Sequence, residues 1–517
     1  MRRFLGHPSF WIILGLVGIF SCWFGPWRFQ TNDDVLMMWL VSGAYTGEPE
    51  RYAVFIHPSL SWVLSSLYSL FPEFNWYSSC WYLFVGLAYI SLVRLSFHLR
   101  VPESWREIIL GLSLIISLHF CLFVQFTIVA GWVGLVGFIC FYSSFKTNQE
   151  GYRVLGLVLI FFSLLVRWEA TGLVLLSLLV FFWLSDKQGF KRRVTQVLFL
   201  GILFLGVISS KVIYEQTSIY ADYAEFNKAR SSVLDHPVYY HLSREEKLSS
   251  SSEWKYFRAW MIDSLEIGVD DLEDERSQLD KMRWEPKYLT KSIERLWTVL
   301  KTEQFKSVFG LLFIALFLFS NIPGRIKLQF SVGWMIFFLV MNFWFVLQGR
   351  VIVLFFIPFL ILLLSSINSG ESRIQSSWIL VLASTLFFLH LINISQGWFE
   401  RKEIQDQYLA LAKIGAERGV VFTENLYEFN LPMGFHSENI VPSLTYGWIS
   451  KSPFQEKALL KRGISSFDRV DSYSLINYKN QETPIFPLYI NHLNSTRFEL
   501  IDFQETSKLQ FFEFSRP

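Results

Sequence analysis

Thr31-Asn32-Asp33-Asp34 comes just after the first apolar run of the chain and just before a short amphipathic run, Val35 to Tyr45. Two adjacent carboxylates beside a hydrocarbon layer are costly to hold there unless something uses them. What flanks them decides the fold.

Hydrophobic residues make up 52% of the chain, with 52 Phe, 20 Trp and 21 Tyr, and charged residues only 17%. Soluble domains carry about 25% charged residues. Apolar runs of about 20 residues recur, each long enough to cross about 30 Å of hydrocarbon. The expected fold class is therefore mainly α: a multi-pass transmembrane helical bundle set in a lipid bilayer. A formal net charge of +2 points to no nucleic-acid partner. Cys22, Cys80, Cys121 and Cys140 all sit inside apolar runs, so neither a disulfide framework nor a Cys-based zinc site is expected in the polar segments.

The first run, 10–27, follows Met1-Arg2-Arg3 and ends in Cys22-Trp23-Phe24-Gly25-Pro26-Trp27, without a small-residue cleavage site. It reads as a retained signal anchor with its N-terminus in the cytoplasm. Further spans are expected at 76–97, 107–125, 127–145, 153–167, 170–186, 194–214, 304–321, 329–347, 350–367 and 376–395, about 11 in all. The stretch 52–71 is ambiguous, and the basic clusters resolve it. Arg94/Arg100/Arg106, Lys146/Arg153, Lys187/Lys191/Arg192/Arg193, Arg325/Lys327 and Arg373 belong in the cytoplasm with Arg2 and Arg3 only if 52–71 does not cross. It is expected to lie along the external face or to dip in and return.

Four regions follow: an N-terminal transmembrane module (1–214) whose first external loop (28–75) carries the acidic motif, an external helical loop (215–303), C-terminal spans (304–395), and a small external α/β domain (396–517). The loop 215–303 should form helices on the membrane surface. Its acidic run, Asp270 to Glu275, lacks the glycine-kinked spacing of a calcium loop. In 396–517, Glu400 to Arg418 has helical periodicity, Gly419-Val420-Val421-Phe422 looks like a strand, and further strands are expected at 485–490, 498–503 and 509–514.

Asp33 and Asp34 are the catalytic candidates. Neighbours on a helix differ by about 100°, so the two carboxylates need not point the same way, and either can simply cap the helix. A carboxylate there can take a proton from an attacking hydroxyl, worth about 10² to 10⁴ in rate. The second can orient the acceptor or hold a divalent metal ion, Mg or Mn, against a phosphate; Asp33 and Asp34 are the ligands if there is one. Arg167-Trp168-Glu169 interrupts an apolar stretch, and Gln348-Gly349-Arg350 lies between two spans. Arg350 and Arg167 suit a phosphate leaving group, since a guanidinium forks two donors towards phosphate oxygens. Arg167 and Glu169 can also pair with each other at an interface. His57 is the histidine nearest the acids, with a structural hydrogen bond as the alternative to substrate contact.

The acidic motif in the first loop, followed by Tyr45 in an amphipathic helix, then His57-Pro58-Ser59-Leu60-Ser61-Trp62, then a span ending in Arg94…Arg100, resembles the GT-C superfamily of integral membrane glycosyltransferases, such as protein O-mannosyltransferases and aminoarabinose transferases. The resemblance covers about residues 1–145. It implies a sugar donor on polyprenyl phosphate, an acidic catalytic residue at Asp33 or Asp34, and an acceptor arriving from outside a bacterial cytoplasmic membrane. Among the candidate substrate contacts it adds Tyr45. Many members carry a second acid at a later span, where this chain has Gln125-Phe126-Thr127; Asp34 or Glu169 would have to supply it. The rival functions are a polysaccharide polymerase or ligase acting on lipid-linked glycans, and a transporter or flippase, which calls for broken helices at mid-membrane depth.

Overall fold

The apolar runs fold as helices because a chain in hydrocarbon must satisfy its backbone hydrogen bonds within itself. A computed structural model describes residues 6–99, 101–185, 190–245, 252–263, 265–365, 376–424, 426, 443–479, 484–494 and 497–517. The basic positions 2, 3, 100, 187 and 373 lie outside the described residues. The first part of the chain runs α1 (Pro8–Trp23), β1 (Arg28–Phe29), α2 (Asn32–Ser42), α3 (Pro58–Leu70), α4 (Trp76–His98), α5 (Glu103–Leu122), β2 (Phe123–Val124), α6 (Phe126–Thr147), α7 (Glu150–Ser185) and α8 (Phe190–Thr217). The polar segment then forms α9 (Ala221–Leu234), α10 (Pro237–Glu245), α11 (Ser252–Arg258), α12 (Val269–Met282) and α13 (Pro286–Thr302). The later apolar helices are α14 (Gln304–Phe319), α15 (Gly324–Trp344), α16 (Gly349–Leu362) and α17 (Ser376–Arg418).

Seven of these helices are long and apolar enough to cross a membrane, or eight if α13 and α14, bent by 98°, form one span. Two shorter apolar helices, α1 and α16, have 16 and 14 residues. Every expected span overlaps a helix, though two of them share α7. That helix leaves helical geometry at Arg167, with φ −161° and ψ 98°. Eight residues of straight helix advance about 12 Å, yet the hydroxyls of Ser163 and Thr171 are 2.5 Å apart. The chain therefore turns back on itself at Arg167-Trp168-Glu169, and α7 is a hairpin with arms 150–166 and 168–185. Glycines bring α6 against it: a Cβ on Gly134 would meet the Ser163 hydroxyl at 2.6 Å, and one on Gly156 the Phe141 nitrogen at 2.5 Å.

The ambiguous stretch 52–71 becomes α3, 13 residues long. At 1.5 Å per residue it spans only about 20 Å, too short to cross. His57 caps it, its Nδ1 accepting from the Ser59 nitrogen at 3.1 Å.

The last 120-odd residues do not start a fresh element: α17 runs unbroken for 43 residues from an apolar run into the α/β part. There β3 (Val420–Thr423), β4 (Ser443–Leu444), α18 (Pro453–Lys461), β5 (Ser472–Tyr478), α19 (Phe486–Asn494), β6 (Glu499–Glu505) and β7 (Leu509–Ser515) form a five-stranded sheet in the order β4-β3-β5-β7-β6. The first two pairings are parallel and the other two antiparallel. Residues 485–490, expected as a strand, are instead the start of α19. Pro487 in the first turn suits a helix start, and Glu424 takes the free backbone N–H groups of Ile485 and Phe486 at 2.9 and 3.0 Å.

The first loop, the polar segment and the α/β part pack together. Tyr45 donates to Gln455 Oε1 at 2.7 Å, and Tyr223 to the Trp448 carbonyl at 2.7 Å. Glu50 takes Lys457 Nζ at 2.8 Å and the Tyr220 hydroxyl at 3.4 Å. Asp263 takes Ser450 Oγ at 2.5 Å and the Lys451 nitrogen at 2.9 Å.

Candidate functional site

Beneath this three-part cap lies a cavity of about 2350 Å³, bordered by the start of α2, the α7 turn, α8, α9, α12 and the loop-side ends of α14 and α16. Nine lysines and arginines line it against six carboxylates. Its lower part is apolar, with Phe309 on α14, Phe337 and Met341 on α15, Leu354 on α16, and Leu386 and Leu389 on α17. The cavity is thus amphiphilic: cationic near the cap and greasy between the helices.

Asp33 lines this cavity and pairs with Arg350 through one contact, Nη1 to Oδ2, at 3.3 Å. The geometry is possible because β1 pairs with β2, Arg28 opposite Phe123, which pins the start of α2 beside the end of α5. Arg350 sits in the first turn of α16, where Gly349 lets Glu303 approach so closely that a Cβ would collide with its carboxylate. Glu303 in turn holds Lys306 Nζ at 2.9 Å, and Lys306 is 2% exposed.

Asp34, the companion candidate, is placed differently. It is fully buried and does not line the cavity. Its carboxylate accepts from Tyr77 at 3.0 Å, the Phe126 nitrogen at 3.1 Å and Thr31 at 3.0 Å, joining α2 to α4 and α6. Burial pushes its pKa up to about 7, against the three hydrogen bonds, and the neighbouring Asp33 charge adds to the rise. These bonds tie Asp34 into the packing of three helices and leave Asp33 as the acid of the pair on the cavity wall. Among the described residues no three His, Cys, Asp or Glu side chains gather as a metal site needs.

Arg167 and Glu169 both line the cavity and pair with each other, Nε to Oε2, at 3.0 Å. The Arg167 guanidinium lies over the rings of Phe55 and Phe126, 5.4 Å from each centroid. The structure thus brings Asp33, Arg350, Arg167 and Glu169 to one cavity. His57 and Tyr45 stand apart from it. His57 Nε2 is 3.0 Å from Ser210 Oγ, and burial followed by the Lys211 charge lowers its pKa. Tyr45 is buried against the α/β part, where it docks the first loop.

Several cavity residues escaped the sequence reading. Lys306, His119 and His390 all sit in or beside apolar runs, where a polar side chain is itself a signal. His119 Nδ1 lies 3.2 Å from His390 Nε2, and the His390 ring stacks on Phe305 at 4.0 Å. Lys211 donates to the Val54 carbonyl at 2.8 Å. Arg230 and Asp235, on and just after α9, gave no signal, because charges in a polar helix are expected.

Fold and cavity together define a multi-pass helical membrane protein with an amphiphilic chamber under a soluble cap. No family model and no curated protein matches the chain. A crystal structure of ArnT from Cupriavidus metallidurans bound to undecaprenyl phosphate aligns with 98% of this chain and 97% of its own, at 10% identity and a TM-score of 0.45. That likeness is too distant to carry an activity to this chain.

Proposed function

We propose that the protein is a membrane glycosyltransferase that moves a sugar from a polyprenyl-phosphate donor to an extracytoplasmic acceptor. The observation that carries this is the position of Asp33, a carboxylate on the wall of a cavity with a cationic upper end and an apolar lower end. An amphiphile with an anionic head and a long hydrocarbon tail matches that division. The isoprenoid chain would lie among Phe309, Phe337, Met341, Leu354, Leu386 and Leu389, and the phosphate against Arg350.

In this reading an acceptor hydroxyl gives its proton to Asp33 as its oxygen attacks the anomeric carbon. The bond from that carbon to the phosphate oxygen breaks in line, and the electron pair leaves with the lipid phosphate. Arg350 then faces the developing charge. Because Arg350 bonds Asp33 through Nη1, a guanidinium with five N–H donors keeps others for phosphate oxygens. Phosphate binding draws Arg350 off Asp33 and leaves its oxygen free to act as base.

The test uses purified protein in proteoliposomes with a synthetic polyprenyl-phosphate sugar, following release of polyprenyl phosphate. Asp33→Asn keeps the size of the side chain and should lower turnover by about 10² or more. Arg350→Lys should also slow turnover, since a point charge replaces a fork. Wild-type turnover by folded Asp33→Asn protein would overturn the assignment.

A further inference from the structure

One cation of the cavity wall has no part in the donor seat just described. Arg230, on α9, is 3% exposed and borders the cavity. Its Nε and Nη2 both donate to Asn227 Oδ1, at 3.1 and 2.7 Å. Its third nitrogen, Nη1, is buried and has no hydrogen-bond partner among the described residues. Its guanidinium stacks over Trp260 at 5.0 Å, and among the described residues no carboxylate forms an ion pair with it. Asp235 and Asp33 act on it only through their fields. Asn227, Lys228, Asp235 and Trp260 line the same cavity.

The setting is unusual. A guanidinium out of water normally stands against a carboxylate, because an unpaired buried charge is strongly unfavourable. Here the partner is a neutral amide, which orients the fork but does not neutralise it. Trp260 itself has φ +64°, a left-handed conformation that a bulky residue rarely adopts. Strain of that kind persists where the surroundings force it, and it clusters at ligand-binding positions. An aromatic ring, an amide and an unneutralised arginine are the groups that recognise a sugar ring bearing an anionic substituent.

We infer that Arg230, Asn227 and Trp260 form a seat for the carboxylate or phosphate of an anionic saccharide, on the cap side of Asp33. The inference rests on the glycosyltransferase reading for the role of that saccharide, which is either the transferred sugar or the acceptor. Arg350 and Arg230 then divide the work: one faces the phosphate that departs, the other an anion that stays with the glycan.

The decisive variant is Asn227→Asp. It keeps the acceptor that orients Arg230 and adds the negative charge the seat lacks, so it fills the seat from within without a cavity. Binding is measured by calorimetry on purified full-length protein in detergent, with glucuronate and glucose as probes and thermal unfolding as the check on folding. Wild-type protein should prefer glucuronate by about tenfold, and Asn227→Asp and Arg230→Gln should erase that preference. Equal affinity for the two sugars in wild type, or an undiminished preference in Asn227→Asp, overturns the inference. Because this readout needs no turnover, failure of sugar transfer sinks the enzymatic reading and leaves the seat standing.

Two kinetic arms separate the sources. If the anion belongs to the transferred sugar, a glucuronate-bearing polyprenyl-phosphate donor turns over faster than its glucose counterpart in wild type but not in Asn227→Asp. If it belongs to the acceptor, the two donors turn over alike and glucuronate competes with the acceptor more strongly than glucose does.

Discussion

Two neighbouring aspartates, one residue apart, have opposite fates, and the difference is a rotation. About 100° around the start of α2 separates them, which turns Asp33 to the cavity and Asp34 into the packing of α2, α4 and α6. Asp34 makes stability depend on pH. Its carboxyl is held at about 7 in the folded protein, above the 3.8 ordinary for an aspartate. The folded state therefore binds a proton more readily than the unfolded one. Its contribution is fully present below about pH 4 and lost as pH rises through about 7. The rise is worth on the order of 4 kcal/mol. In Asp34→Asn the neutral amide still accepts from Tyr77 and Phe126, so the variant should melt higher than wild type at pH 8 and lose that advantage at pH 5. Thermal unfolding in detergent across this range checks it, and parallel curves for the two proteins would refute it. An acid pair beside a membrane is legible in sequence because it is costly. Which of the two faces the cavity was not, since Tyr77 and the Phe126 N–H come from distant segments. Arg167, Glu169 and Arg350 were legible for the same reason as Asp33, as charges interrupting apolar runs; Arg230 was not, since nothing marks one arginine on a polar helix.

Among the elements, the places of the apolar helices were readable because hydrocarbon demands long apolar helices and little else, while the number that cross was not. The α7 hairpin shows the physical limit of such reading. Hydropathy marks where apolar chain lies but not how closely two helices approach. Here the approach is set by small residues, which let helix backbones touch where no hydrophobic force between helices operates in lipid. A Cβ on Gly156 would fall 2.5 Å from the Phe141 nitrogen and 2.7 Å from the Gly137 oxygen, both backbone atoms that cannot swing aside. Gly156→Val should therefore destabilise the protein by about 1–3 kcal/mol, whereas Gly151→Ala, with nothing within 4 Å of the new carbon, should not. Comparing unfolding temperatures of the two variants tests the contact; equal temperatures would mean that α6 and α7 do not meet there. The misread start of α19 in the α/β part has another cause. Ile485, Phe486, Tyr489 and Ile490 give the stretch a strand-like composition, while Pro487 and the distant Glu424 mark a helix start.

At the scale of the whole molecule, the cavity exists because three segments far apart in the chain close over the bundle, and periodicity carries no trace of that closure. Glu50 ties all three segments. It is 5% exposed, sits in the first loop close after α2, and joins Lys457 on α18 to Tyr220 at the start of α9. Lys457 is half exposed, so solvent weakens the Coulomb part, and the buried Glu50 carboxylate makes the larger contribution. Glu50→Ala should loosen the cap locally and leave the bundle alone. Hydrogen exchange should accelerate about tenfold in 44–56, α18 and the first turn of α9, matching roughly 1.4 kcal/mol of lost local stability, with α4 to α6 unchanged. Sugar transfer should fall with it, because Asp33 reaches the cavity from a helix whose C-terminal end this tie holds. A uniform rise in exchange would make Glu50 an ordinary stabiliser. Faster exchange confined to the cap with undiminished transfer would mean that Asp33 is held by β1 and β2 alone.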